Sequence, residues 1–344
     1  MRALCKTKAA SGAQIIDAPI PKVSDSSVLV NIKAASICGT DVHIYNWDNW
    51  AASRIKPPLI FGHECAGIVT EIGKNVRRVA VGDHVSIETH IPCETCHQCR
   101  NGQMHLCKNL KVVGIDRPGG FAEYLEIPEI CCVKNDPTLP WEVASIQEPL
   151  GNAVYTVDES NVAGKSVAIF GDGPIGVFAV AVARAMGAKT VIACGMQPFR
   201  LELMRSYHPD HVIDVRSVDP RKRIAEITDG LGVDVVLEMS GSPKAIHDGL
   251  AVVRSGGTFT FFGVPSKSME IDVANEIIFK GITMHAIYGR RMFETWDVMK
   301  SLIASGKLDV RRVVTHEFSL AGIDEAMKLL TAKEIQVGKI LLRP

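Results

Sequence analysis

Ser166-Val167-Ala168-Ile169-Phe170-Gly171-Asp172-Gly173-Pro174-Ile175-Gly176 is the stretch on which the fold turns. A β-branched run of strand length leads directly into G-x-G-x-x-G, and an Ala- and Val-rich helical segment over 174–186 follows. The glycine pattern alone says little; a strand before it and a helix after it give it meaning. In that setting Gly171 allows a tight turn, Gly173 lets the backbone approach a pyrophosphate, and Gly176 permits close packing of helix on strand. The helix N-terminus would offer its free N–H groups to the phosphates.

The same texture extends downstream. After Glu148-Pro149-Leu150-Gly151, strand-like runs alternate with helical ones, as parallel βαβ units require. The runs 167–170, 190–194, 211–214, 233–238, 258–262 and 283–288 supply the expected strands, with helices over 174–186 and 200–207. An α/β fold with a doubly wound parallel sheet is therefore expected for 151–291. About twenty residues past the glycines, such domains carry an acid that grips the ribose hydroxyls of NAD. Here Cys194 runs into Gly195-Met196-Gln197 with no acid, and Arg200 follows. Without the carboxylate a 2′-phosphate meets no repulsion, and an arginine can pair with one. NADP therefore stands beside NAD as an expected cofactor.

Upstream, 27–34, 65–72 and 82–87 read as short β segments with Gly and Asn between them. Cys38-Gly39-Thr40-Asp41-Val42-His43 and Gly62-His63-Glu64 lie among them. A thiolate, an imidazole and a carboxylate are ligands a catalytic Zn²⁺ takes, with one position left open. Cys93, Cys96, Cys99 and Cys107 fall within fifteen residues. Four thiolates so spaced can close around a structural Zn²⁺ at roughly 2.3 Å; disulfides or an Fe–S cluster are the competing uses. Cys5, Cys65, Cys131, Cys132 and Cys194 read as buried, unreactive thiols. Thr40 to Ile44 is expected to open a helix, because only a helical turn brings Thr40 and His43 onto one face.

Composition narrows the function. Lys+Arg and Asp+Glu balance at 38 each, so no long-range field favours nucleic acid or an anionic membrane. The most apolar stretch, 167–188, is broken by Gly171-Asp172-Gly173-Pro174 and Arg184, so it does not read as a membrane span. The start carries no apolar signal-like segment. With ten cysteines, this predicts a cytoplasmic protein whose thiols serve metals and whose partner is a small molecule.

With these residues assembled, the chain resembles the zinc-dependent medium-chain alcohol dehydrogenases over essentially its whole length. The resemblance rests on the segments around Cys38, His63 and the four cysteines, on 148–153, on Gly171 to Gly176, and on 237–241. The segments CGTDVHIYNWD (38–48) and YGR with FETW (288–290 and 293–296) resemble the threonine-oxidising branch. The resemblance implies a GroES-like, β-rich catalytic domain (1–150 and 292–344) joined to a Rossmann domain (151–291), assembled as a homotetramer. It implies hydride transfer from L-threonine to a nicotinamide cofactor, NAD in the family, with a polyol or secondary alcohol as the alternative substrate. Cys38, His63 and Glu64 would hold the catalytic zinc. Glu148 would be a nearby carboxylate that ligates or relays protons, leaving open which glutamate is the third ligand. Thr40 and His43 would form the proton relay. Ile175, Gly195, Arg200, Phe262, Gly263, Val264, Ala286 and Ile287 would line the cofactor.

Overall fold

The computed structural model describes residues 1–344, and the chain divides into two compact units. The first holds Met1–Pro149, Val314–Lys333 and Lys339–Pro344; the second holds Leu150–Val313 and Glu334–Gly338. The helix Glu294–Ala304 thus stays with the second unit. The chain returns to the first unit at Val314, not at the expected 292.

The second unit is built on a six-stranded sheet with the order His211–Asp214, Thr190–Gly195, Ser166–Phe170, Val233–Glu238, Val253–Phe261, Thr283–Ala286. All its pairings are parallel, and in chain order this is the 3-2-1-4-5-6 arrangement of a doubly wound fold. Both faces are covered at the centre of the sheet, which is why its central strands read as continuous apolar runs rather than alternating ones. Val167, Ala168, Ile169, Val191, Ile192 and Ala193 are fully buried. The order reverses between Ser166–Phe170 and Val233–Glu238, and the glycine-rich turn opens at that point.

The first unit is β-rich. Its largest sheet has seven strands, and Ser27–Ser36 pairs with Glu64–Ile72, Tyr124–Pro128 and Lys339–Arg343. No helix of the chain is long and apolar enough to cross a membrane.

The pairing of Lys339–Arg343 with Ser27–Ser36 carries one charged side chain into the interior. Lys339 is 3% exposed, and its Nζ donates to the Ile37 carbonyl at 2.9 Å and pairs with the Glu64 carboxylate. Glu64 is 1% exposed and also accepts from the Ser36 hydroxyl. A buried charge left without its partner costs about 3–5 kcal/mol. Lys339→Met should therefore lower urea-unfolding stability by about that amount, and Lys339→Met combined with Glu64→Gln should recover part of it. A single variant as stable as the parent would show that the pair contributes nothing.

Candidate active site

Cys38 is the N-cap of the helix Gly39–Asn46, with extended backbone angles before the first turn. The helix begins one residue earlier than expected, at Gly39, directly after its cap Cys38. Asp41, at the third helical position, accepts from the Cys38 N–H at 2.9 Å through Oδ2. Asp41 is fully buried, and its Oδ1 lies 3.8 Å from His63 Nδ1. Neither of those two atoms makes a hydrogen bond. Gly62 sets the approach of His63: its φ is +87°, and a Cβ there would meet the Phe121 ring at 2.3 Å. Sheet register then places Glu64 opposite Ser36.

The result is a cluster in which ligand atoms of Cys38, His63 and Glu64 lie within 4.8 Å of one another. Burial alone would lower the pKa of His63, but the Cys38 thiolate and the Asp41 carboxylate push it up to about 10. Burial raises Asp41 to about 6. The 6% exposed Glu148 adds its charge to the same surroundings. Anionic groups packed this densely around one imidazole, with orphaned polar atoms, form an environment that favours a cation. A soft thiolate with nitrogen and oxygen donors suits zinc. Asp41 went unrecognised in the sequence; its signal was its place three residues past the capping cysteine.

The relay residues are less tightly assembled. The Thr40 hydroxyl lies 3.8 Å from Cys38 Sγ. His43 shares the helix, but its Nδ1 pairs with Asp48 Oδ2 at 2.5 Å and its side chain is 57% exposed. Asp48 also caps the next helix through the Ala51 N–H, so its position is fixed. Trp47 closes the first helix in the left-handed region, with the buried Lys6 ammonium 5.3 Å from its ring centroid. Trp50 packs near His43, with ring centroids 6.0 Å apart.

Cys93, Cys96, Cys99 and Cys107 also come together. The Cys96 sulfur lies 3.5 Å from that of Cys99 and 3.8 Å from that of Cys107. These spacings are too long for disulfides and near the edge, about 3.8 Å, of a tetrahedron with 2.3 Å metal–sulfur bonds. Cys107 accepts from the Cys93 and Asn109 backbone N–H groups. Hydrogen bonds centred on Thr95 hold Cys93 down at about 5, whereas burial pushes Cys99 up to about 12. Of the nearby histidines, His97 is exposed, while His90 and His105 are buried.

In the second unit the turns at the C-terminal ends of the strands crowd together. Gly171 has φ +122°, and a Cβ on it would lie 3.0 Å from the Ser240 N. A Cβ on Gly176 would lie 2.0 Å from the Gly171 carbonyl oxygen, and one on Gly263 2.0 Å from the Gly241 N. Gly173 faces open space at the N-cap of the helix Pro174–Ala185. Ile175 follows in its first turn, half-buried. Glu238, fully buried, fixes the neighbouring turn by accepting from Ser240 and Gly241 N–H groups; sequence reasoning gave it no role. Phe262 is half-buried, Val264 is 87% exposed, and Ile287 donates its N–H to the Phe261 carbonyl beside Ala286. Arg200 donates from Nε to the Val337 carbonyl at 3.0 Å.

With this geometry in place, comparison with known proteins gives a consistent family. Residues 24–137 match the alcohol dehydrogenase GroES-like domain, and residues 174–305 match the zinc-binding dehydrogenase family. An L-threonine 3-dehydrogenase of Bacillus subtilis is 46% identical over 344 residues, covering 100% of this chain and 99% of the relative. One from Pyrococcus abyssi is 46% identical over 344 residues, covering 99% and 98%. Among solved structures, a zinc-binding dehydrogenase of Sinorhizobium meliloti bound to NADP superposes with a TM-score of 0.91 at 30% identity, covering 100% of this chain and 99% of that one. A 2R,3R-butanediol dehydrogenase from Bacillus subtilis superposes at 0.89 and 29%, with the same coverage. The paired glycine-rich turn and cysteine–histidine cradle, together with relatives matched from end to end, make this chain a member of the zinc-binding alcohol dehydrogenase family.

Proposed function

We propose that the chain oxidises the hydroxyl-bearing carbon of L-threonine, passing hydride to a nicotinamide cofactor and giving 2-amino-3-ketobutyrate. The observation that carries this is full-length similarity, at 46% identity, to L-threonine 3-dehydrogenases. Zinc and a nicotinamide dinucleotide supply a Lewis acid for the substrate hydroxyl and an acceptor for hydride. Cys38, His63 and Glu64 hold the catalytic ion, supported by the convergence of their donor atoms. Glu148 is the adjacent carboxylate. Asp41, with its Oδ1 3.8 Å from His63 Nδ1, places its carboxylate behind the ring and favours a donating imidazole by charge. Thr40 takes the hydroxyl proton at Oγ1. Asp48, held against Nδ1 of His43, leaves Nε2 as the atom that receives the proton and delivers it to water. Cys93, Cys96, Cys99 and Cys107 hold a second, structural zinc. Gly171, Gly173, Ile175, Gly176, Gly195, Arg200, Phe262, Gly263, Val264, Ala286 and Ile287 bind the dinucleotide.

The second reading, a polyol or secondary-alcohol dehydrogenase, is favoured by the likeness to 2R,3R-butanediol dehydrogenase. Steady-state assays with L-threonine, other 3-hydroxy amino acids, sorbitol and butanediol, each with NAD and NADP, separate the two. L-Threonine should give the highest kcat/KM, and a polyol exceeding it would favour the second reading. The two metal sites differ in what their loss does. Cys38→Ser should abolish turnover while the melting temperature stays within about 2 °C. Cys99→Ser should lower melting by roughly 5 °C or more and release one zinc equivalent. Near-normal kcat in the first, or unchanged melting and zinc content in the second, would overturn that assignment.

The proposal includes a homotetramer in the cytoplasm. None of the ten cysteines is in a disulfide, which fits a reducing compartment. The parallel sheet ends at Thr283–Ala286, an exposed edge strand. Met284 on it, with Ile278 and Phe279 nearby in sequence, is an exposed apolar side chain, and such edges are commonly covered. Sedimentation equilibrium should give four times the 37.3 kDa chain mass; a monomer at micromolar concentration would exclude it.

A further inference from the structure

The strand Thr190–Gly195 ends without the acid that reads ribose hydroxyls in a dinucleotide fold. A carboxylate nevertheless stands at that place, and it comes from the neighbouring turn. Asp172, the second residue of the glycine-rich turn, is 8% exposed. Its Oδ2 accepts from the Met196 N–H at 2.7 Å and the Gln197 N–H at 2.6 Å. A Cβ built on Gly195 would lie 2.6 Å from Asp172 Cβ and 2.8 Å from Oδ2. No side chain fits at 195 while Asp172 is there, so the glycine and the aspartate form a single arrangement. Oδ1 of Asp172 makes no hydrogen bond within the chain.

We propose that Asp172 takes over the work of the absent strand-end acid, reading the adenosine ribose of NAD through Oδ1 and excluding the 2′-phosphate of NADP. This rests on the glycine-rich turn being the dinucleotide site. Three observations support it. The backbone N–H groups of Met196 and Gln197, which a phosphate at this turn would need, already serve the carboxylate. The two arginines that feel its charge each already donate to another group. Arg216 grips Asp214 through two bonds of 2.9 and 2.6 Å, and Arg200 donates to the Val337 carbonyl. Glu334 also acts on Arg216, so acids offset the local positive charge. The cofactor choice left open by Gly195 and Arg200 therefore falls to NAD, because the missing acid was relocated rather than lost.

Calorimetric titration of the full chain with NAD⁺ and NADP⁺ tests this without turnover. The parent should bind NAD⁺ at least tenfold more tightly than NADP⁺. Asp172→Asn keeps an acceptor for Met196 and Gln197 but removes the charge, and it should shrink that ratio at least tenfold. Combining Asp172→Gly with Gly195→Asp clears the Cβ that blocks position 195, moves the acid onto the strand end and should restore the preference for NAD⁺. Equal affinities in the parent would overturn the proposal, as would Asp172→Asn weakening both dinucleotides alike, which marks a merely structural aspartate. If neither dinucleotide binds, the cofactor site itself is misassigned and this inference falls with it.

Discussion

Confinement of negative charge around a single imidazole is the constraint on which the first unit depends. Cys38, Asp41, Glu64 and Glu148 all act on the surroundings of His63, and the only buried ammonium paired there is that of Lys339. Burying ionised groups without compensation is costly, so such a cluster is tolerable only if cations complete it. One cation is built into the chain. The donor set leaves room for a second, divalent one, and the family to which the chain belongs supplies it as zinc.

The two units meet their demands by opposite means. The parallel sheet of the second unit is self-sufficient: its apolar strands bury both faces, and glycine turns at their C-terminal ends pack backbone against backbone. Its chemistry sits in those turns, where side chains are sparse and N–H groups abundant. The first unit holds its donors by sheet register, by the capping arrangement at Cys38, and by a cysteine lobe with little apolar content. There, geometry is set by polar contacts that a metal would finish.

Much of this could be read from the sequence, and the reason differs by element. The central parallel strands were legible because burial on both faces forces contiguous apolar runs. The four-cysteine lobe was legible because its ligands are local in sequence. Asp41 was missed because one polar residue at a helix start looks like any capping residue. The Glu64–Lys339 pair was missed because it joins residues 275 positions apart, and only strand pairing brings them together. The division at 292 failed because the helix Glu294–Ala304 is amphipathic and could serve either unit. The end of Thr190–Gly195 misled for a subtler reason. A sequence motif assigns the ribose acid to one position, whereas space is shared by two turns, and Asp172 fills from one side what Gly195 leaves empty on the other.

The first unit is also discontinuous along the chain, with Leu150–Val313 inserted into it. During synthesis, the glycine-rich sheet is therefore complete and able to fold before Lys339 has emerged. Until then, the ammonium that pairs with the Glu64 carboxylate in the folded first unit is missing. The order of translation thus lets the dinucleotide-binding sheet form before the last strand of the metal-binding unit can be added.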